Sequence, residues 1–183
     1  MKLIDSHAHL TDDRFADDIE AVIARAMESG VSRIVTVATD LDDADAAIGF
    51  ADRFPQIFAT AGVHPHASGS VPDSALTVDR LRHLADHPRV VAIGEAGLDY
   101  HYDFSPRDRQ IEWFRHQLEL AAEKDLPIVV HAREADDDVD ALLREAGPGC
   151  RGVLHCFSSG RRLLETGLEL GWMISFAGMV TFK

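Results

Sequence analysis

Six of the ten histidines, with one glutamate, sit where short apolar runs give way to polar residues. The stretch LIDSHAHL carries His7 and His9, and side chains two apart on an extended chain share a face. His64 and His66 follow a third apolar run, Glu95 ends a fourth, His131 a fifth and His155 a sixth. Imidazole with carboxylate is the donor set of zinc, manganese or iron, and of magnesium when more oxygens join. A carboxylate can bridge two ions that together position and activate water. Glu95 lies between the two histidine groups, which makes it the natural bridge. The expected split is His7, His9 and Glu95 on one ion, and Glu95, His131 and His155 on the other.

Such residues meet only if the chain brings its strand ends to one place. Candidate strands are residues 2–7, 33–38, 57–63, 90–95, 127–132, 152–157 and 172–177, short and rich in β-branched residues. Between them fall helical stripes at 16–29, 43–53, a segment marked by Leu76, Leu81 and Leu84, a long one from 106 to about 124, and 136–146 and 159–170. Gly30, Gly147 and Gly171 stand as stops, Asp40 and Asp42 as caps, and Ser105-Pro106 as cap and first helical residue. This alternation implies parallel strands with right-handed crossovers. The turn after the first strand, DSHAHLTDD, has no glycine, which argues against an open dinucleotide-binding sheet and for a (β/α) barrel. In such a barrel all strand ends open on one face.

Composition limits the rest. The 183 residues carry a net charge of −13, which opposes binding nucleic acid through a broad basic face but allows binding at bound cations. Asp136, Asp137 and Asp138 read as a solvated helix start rather than as ligands. Cys150 and Cys156 form no disulfide framework, and Cys156, directly after His155, reads as a small buried hydrophobe rather than a metal ligand. No apolar run is long enough for a membrane span, and the polar turn at Asp5 comes too early for a signal peptide, so the expected location is cytoplasmic. Trp113 and Phe114 read as core residues. Arg133, two residues past His131, suits a phosphate at the same mouth or a surface ion pair, and Arg161 and Arg162 suit a nucleic-acid backbone or solvent. Asp99 and Tyr100 suit either a pocket rim or a structural turn.

The ordered motifs IDSHAHL, GVHPH, AIGEAGLDY, FRHQLELAAEKDLPIVVHARE, GVLHCFSS and ISFAGMVTFK resemble the TatD-type metal-dependent deoxyribonucleases of the amidohydrolase-like superfamily. The resemblance runs from residue 3 to residue 183. It implies a TIM-type barrel, two divalent ions (Mg2+, Mn2+ or Zn2+) and hydrolysis of phosphodiester bonds in DNA, often from the 3′ end. It assigns His7, His9, Glu95, His131 and His155 to the metals and Glu95 and His64 to catalysis. It places His64 near the metals against a substrate phosphate, with Arg133 and Tyr100 as weaker substrate contacts. The competing readings are an ester or amide hydrolase, such as an aminoacyl-tRNA deacylase, and a metal-binding remnant without turnover.

One departure stands out. Barrels of this type have eight strands and about 250 residues, whereas seven strands are counted here. The later aspartate that the family places on its first metal has no match. The expectation is a single hydrolase domain over 1–183, incomplete at its C-terminus, whose strands 2–7 and 172–177 keep unpaired edges open to self-association.

Overall fold

The computed structural model describes residues 2–72 and 74–182. Seven strands form one sheet: β1 (Leu3–Ala8), β2 (Val31–Thr36), β3 (Ile57–Ala61), β4 (Val90–Asp99), β5 (Ile128–Arg133), β6 (Gly152–Leu154) and β7 (Met173–Ile174). Every neighbouring pair is parallel and the order is strictly sequential. A doubly wound sheet reverses its order at a switch point. This one never does, so each crossover steps the same way and the sheet curls into a half-barrel. β1 and β7 are its two edges among the described residues.

Among the described residues, six α-helices fill the crossovers: α1 (Ile19–Glu28), α2 (Leu41–Arg53), α3 (Ala75–Ala85), α4 (Arg107–Glu123), α5 (Asp136–Ala146) and α6 (Arg161–Glu169). The side chain of Asp40 caps α2 by accepting from the backbone N–H groups of Asp42 and Asp43. Leu41, Ala44, Ala47 and Ala51 form the buried stripe of α2, small enough to bring the helix close to the sheet. β4 is buried along nearly its whole length, as a central parallel strand covered on both faces must be. Trp113 and Phe114 lie in the core, 1% and 0% exposed.

Three expectations need correction. Leu76 is 83% exposed while Leu81 and Leu84 are buried, because five helical residues turn the side chain by about 140° off the buried stripe. Ser105 does not cap α4, because its hydroxyl is committed to the carbonyl of His66 and the N–H of Gly69. β6 stops at Leu154, and Cys156 turns to a positive φ of 46°, so it is neither on a strand nor fully buried. The aspartates of α5 do open that helix at the surface as expected, and they also make contacts there: Asp136 accepts from the N–H of Gly160, Asp137 pairs with Arg162, and Asp138 accepts from Tyr100.

Candidate metal centre

The sheet's curvature brings the ends of β1, β4, β5 and β6 together. Glycine makes the approach at β4 feasible. Gly97 has φ of 128°, and a Cβ there would sit 2.0 Å from the carbonyl oxygen of His131. Gly94 has the same φ, and its substitution would press a Cβ to 2.7 Å from the carbonyl of Val129. The β4–β5 register shifts between Ile93 and Ala96, and within that irregularity the N–H of Glu95 bonds the carbonyl of Ala38 at 2.9 Å. Glu95 is thereby set at the centre, 4% exposed.

Its two carboxylate oxygens face different partners. Oε2 lies 3.2 Å from His7 Nε2 and 3.9 Å from His9 Nε2, and those two nitrogens are 3.3 Å apart. Oε1 lies 3.3 Å from His131 Nδ1 and 4.0 Å from His64 Nε2. Ligand bonds of 2.0–2.2 Å imply donor separations of about 3.3–3.6 Å in a tetrahedral shell. Two sides of the His7–His9–Glu95 triangle, 3.2 and 3.3 Å, are close to that size and the third, 3.9 Å, is a little longer, so the residues fit a metal ion. His7 Nδ1, the ring nitrogen that does not face Glu95, is buried without a hydrogen-bond partner among the described residues.

Outer contacts fix which nitrogens are available. His9 Nδ1 lies 2.9 Å from the carbonyl of Val37, which only accepts, so Nδ1 carries the proton and Nε2 presents its lone pair. Asp99, fully buried, plays the same part for His131: its Oδ2 receives His131 Nε2 at 3.0 Å and His66 Nε2 at 2.9 Å. Its Oδ1 accepts the backbone N–H groups of His101 and Tyr102. His131 thus turns Nδ1 toward Glu95. His64 differs, because its Nδ1 accepts the N–H of His66 at 3.1 Å. The proton of a neutral His64 is therefore on Nε2, which makes that atom a donor rather than a ligand. His155, at the end of β6, stacks on His7 with ring centroids 3.4 Å apart and planes 9° apart.

Helix α4 braces two of these positions. Gln117 accepts from the N–H of Val63 and donates to its carbonyl, holding the backbone just before His64. Gln110, seven residues earlier on the same face, clasps Asp99 in the same way and also donates to the carbonyl of Ser105.

Burial, the largest influence on Glu95, disfavours its charge, but hydrogen bonds from His131 and His7 carry it well below the usual carboxylate range. Asp99 is likewise held at about 2 against burial, by the N–H of Tyr102 and by His66 and His131. Burial also disfavours a charged His131, yet Glu95 and Asp99 leave it raised. His64 is pushed down to about 3 and His155 to about 4, chiefly by burial, so both are neutral near pH 7.

Beside the centre opens a cleft of about 920 Å³ lined by Tyr100, His131, Arg133, His155, Cys156 and Ser159 among others. Tyr100 donates to Asp138 at 2.6 Å, with the Arg107 guanidinium 4.1 Å from its ring, so its hydroxyl is already engaged. Arg133 is exposed at the cleft, its guanidinium 4.8 Å from the Tyr102 ring. Arg161 and Arg162 pair with Glu165 and with Asp137 and Asp140. The bond that His131 donates to Asp99 was not anticipated, although residues 95, 97 and 99 share alternation along one strand and so carried a signal.

A family profile described as TatD related DNase matches residues 4–183. The chain is 40% identical over 182 residues to the "Uncharacterized metal-dependent hydrolase YabD" of Bacillus subtilis, covering 99% of this chain and 71% of that protein. It is 41% identical over 180 residues to the "3'-5' ssDNA/RNA exonuclease TatD" of a Pantoea species, covering 97% and 68%. Among solved structures it resembles YJJV, a TatD homolog from Escherichia coli, at a TM-score of 0.88 and 30% identity, over 98% of this chain and 70% of that one. A TatD family hydrolase from Entamoeba histolytica gives a TM-score of 0.86 at 32% identity, over 96% and 65%. The chain thus spans about two thirds of the length of these proteins. Sheet order, strand-end chemistry and these likenesses agree: this is a TIM-type (β/α) fold, and the chain belongs to the TatD-related DNase family.

Proposed function

We propose that the chain is a divalent-metal-dependent hydrolase that cleaves phosphodiester bonds of single-stranded nucleic acid, releasing nucleotides from 3′ ends. The observation that carries this reading is the buried Glu95 carboxylate, with one oxygen toward His7 and His9 and the other toward His131. His7, His9 and Glu95 would hold one ion, and Glu95 and His131, with His155 from the end of β6, a second. Bound ions supply Lewis acidity and a water of lowered pKa. His64 offers its Nε2–H to a phosphate oxygen, as its tautomer supports. Arg133 offers a cation at the cleft, where a net charge of −13 otherwise repels a polyanion.

The test incubates the chain with Mn2+ on end-labelled single-stranded DNA and RNA, and in parallel on an aminoacyl-tRNA. The expected result is stepwise loss of 3′-terminal nucleotides, abolished by a chelator. Cleavage of the aminoacyl ester alone would transfer the assignment to the deacylase reading, and bound metal without turnover on either substrate would leave only a metal-binding chain.

A further inference from the structure

The loop after β4 exposes two aromatic rings next to the candidate metal centre. Tyr102 is 47% exposed and Phe104 67% exposed, and they stack on each other with centroids 5.4 Å and planes 11° apart. A scattered surface aromatic needs no explanation, but a stacked, solvent-facing pair on a rigid support is unusual. The support is rigid because each part of it is bonded. Asp99 Oδ1 accepts the N–H of Tyr102, and Ser105 links this loop to the carbonyl of His66 and the N–H of Gly69. Gln110 holds both Asp99 and Ser105 from below.

The pair is also coupled to the centre. The edge of His66 meets the Tyr102 ring at 5.6 Å and the Phe104 ring at 4.8 Å, between centroids. On its other side His66 lies 4.4 Å from His64, and through Asp99 it joins His131. One imidazole therefore separates the aromatic pair from residues assigned to phosphate and metal. The Arg133 guanidinium stands 4.8 Å from the Tyr102 ring and has no ion pair among the described residues. An exposed aromatic face at Phe104, a cation without an ion pair over the adjoining Tyr102 ring and a phosphate position one ring away match the parts of a nucleotide: base, neighbouring phosphate and reacting phosphate.

We propose that Tyr102 and Phe104 form a stacking shelf for a nucleobase adjoining the scissile phosphate, with Arg133 pairing to the next phosphate along the strand. The inference rests on the nucleic-acid reading above and names how that substrate is held. Stacking tolerates any base, because each has a π face, so the shelf selects for the presence of a base and not for its identity. It requires an unpaired strand, since a base within a duplex has both faces covered by its neighbours.

Two short single-stranded oligonucleotides with phosphorothioate linkages test this in the presence of Mn2+. One ends in the fluorescent base 2-aminopurine and the other has an abasic terminal residue. The intact chain should bind the base-bearing strand about 5-fold to 150-fold more tightly, the range that one stacked base contributes, and should quench its fluorescence. The Tyr102→Leu/Phe104→Leu variant keeps apolar volume at two exposed positions but has no π face, and its preference should fall to about one. Phe104→Trp, which keeps a face, should retain both preference and quenching. Equal affinity of the intact chain for the two strands, or an undiminished preference in the leucine variant, would overturn the shelf while leaving the nuclease reading standing. Failure to bind either strand would overturn both.

Discussion

Glu95 and Asp99 are buried carboxylates on one strand, four residues apart, and their neighbours set them to different tasks. Glu95 keeps both oxygens toward imidazole nitrogens, whereas every oxygen of Asp99 is already taken by protein N–H groups. A carboxylate so occupied cannot ligate, but it can hold His131 in the tautomer that presents Nδ1, as outer carboxylates do for metal-bound histidines. Asp99→Asn is therefore expected to weaken Mn2+ binding about 10-fold to 100-fold by calorimetric titration. His101→Ala, whose ring faces Glu134 on the surface, should leave the affinity unchanged. Unaltered affinity in Asp99→Asn would show that His131 needs no such support. The histidines and Glu95 were legible in sequence because their residue types are rare at strand ends. The role of Asp99 was not, because one aspartate in a turn-like GLDY has several fates and only its partners decide among them.

At the scale of elements, α5 and α6 are clasped through Asp140, which is 1% exposed. It accepts from Arg144 Nε at 3.1 Å, from Arg162 Nη2 at 2.6 Å and from the Thr166 hydroxyl. Burial disfavours its charge, but these donors hold its carboxyl below the ordinary range. A depressed folded pKa means that the contribution is fully present above the unfolded value of about 3.9 and is lost as pH falls through the folded one. Asp140→Asn should thus cost about 1–3 kcal/mol at pH 7 in urea unfolding, the half-exposed arginines keeping it from being larger. The gap from the unaltered chain should narrow as pH drops below about 4. A gap independent of pH would mean that the clasp is steric and not ionic. Element identity was legible wherever a periodic stripe met a glycine stop, as at Gly147 and Gly171, which both have positive φ. Boundaries were less so. β6 ended early at a backbone reversal that no propensity marks, and Ser105 has the residue type of a cap but is bonded to another loop.

For the whole molecule, sequential parallel order does what no single element can: it sends every crossover the same way and gathers residues more than a hundred positions apart around one carboxylate. His7 and His131 meet on opposite oxygens of one glutamate for that reason. The sequence carried this only through alternation of elements, since neither periodicity nor charge says how far a sheet curls. In the function proposed above, these strand ends together hold two ions, with Glu95 shared between them. Elemental analysis of the Mn2+-loaded chain, beside Glu95→Gln, tests it most directly. Two ions per chain are expected, with at least one lost in Glu95→Gln, because the amide keeps the shape but removes the bridging charge. Equal metal content in the two proteins would contradict it.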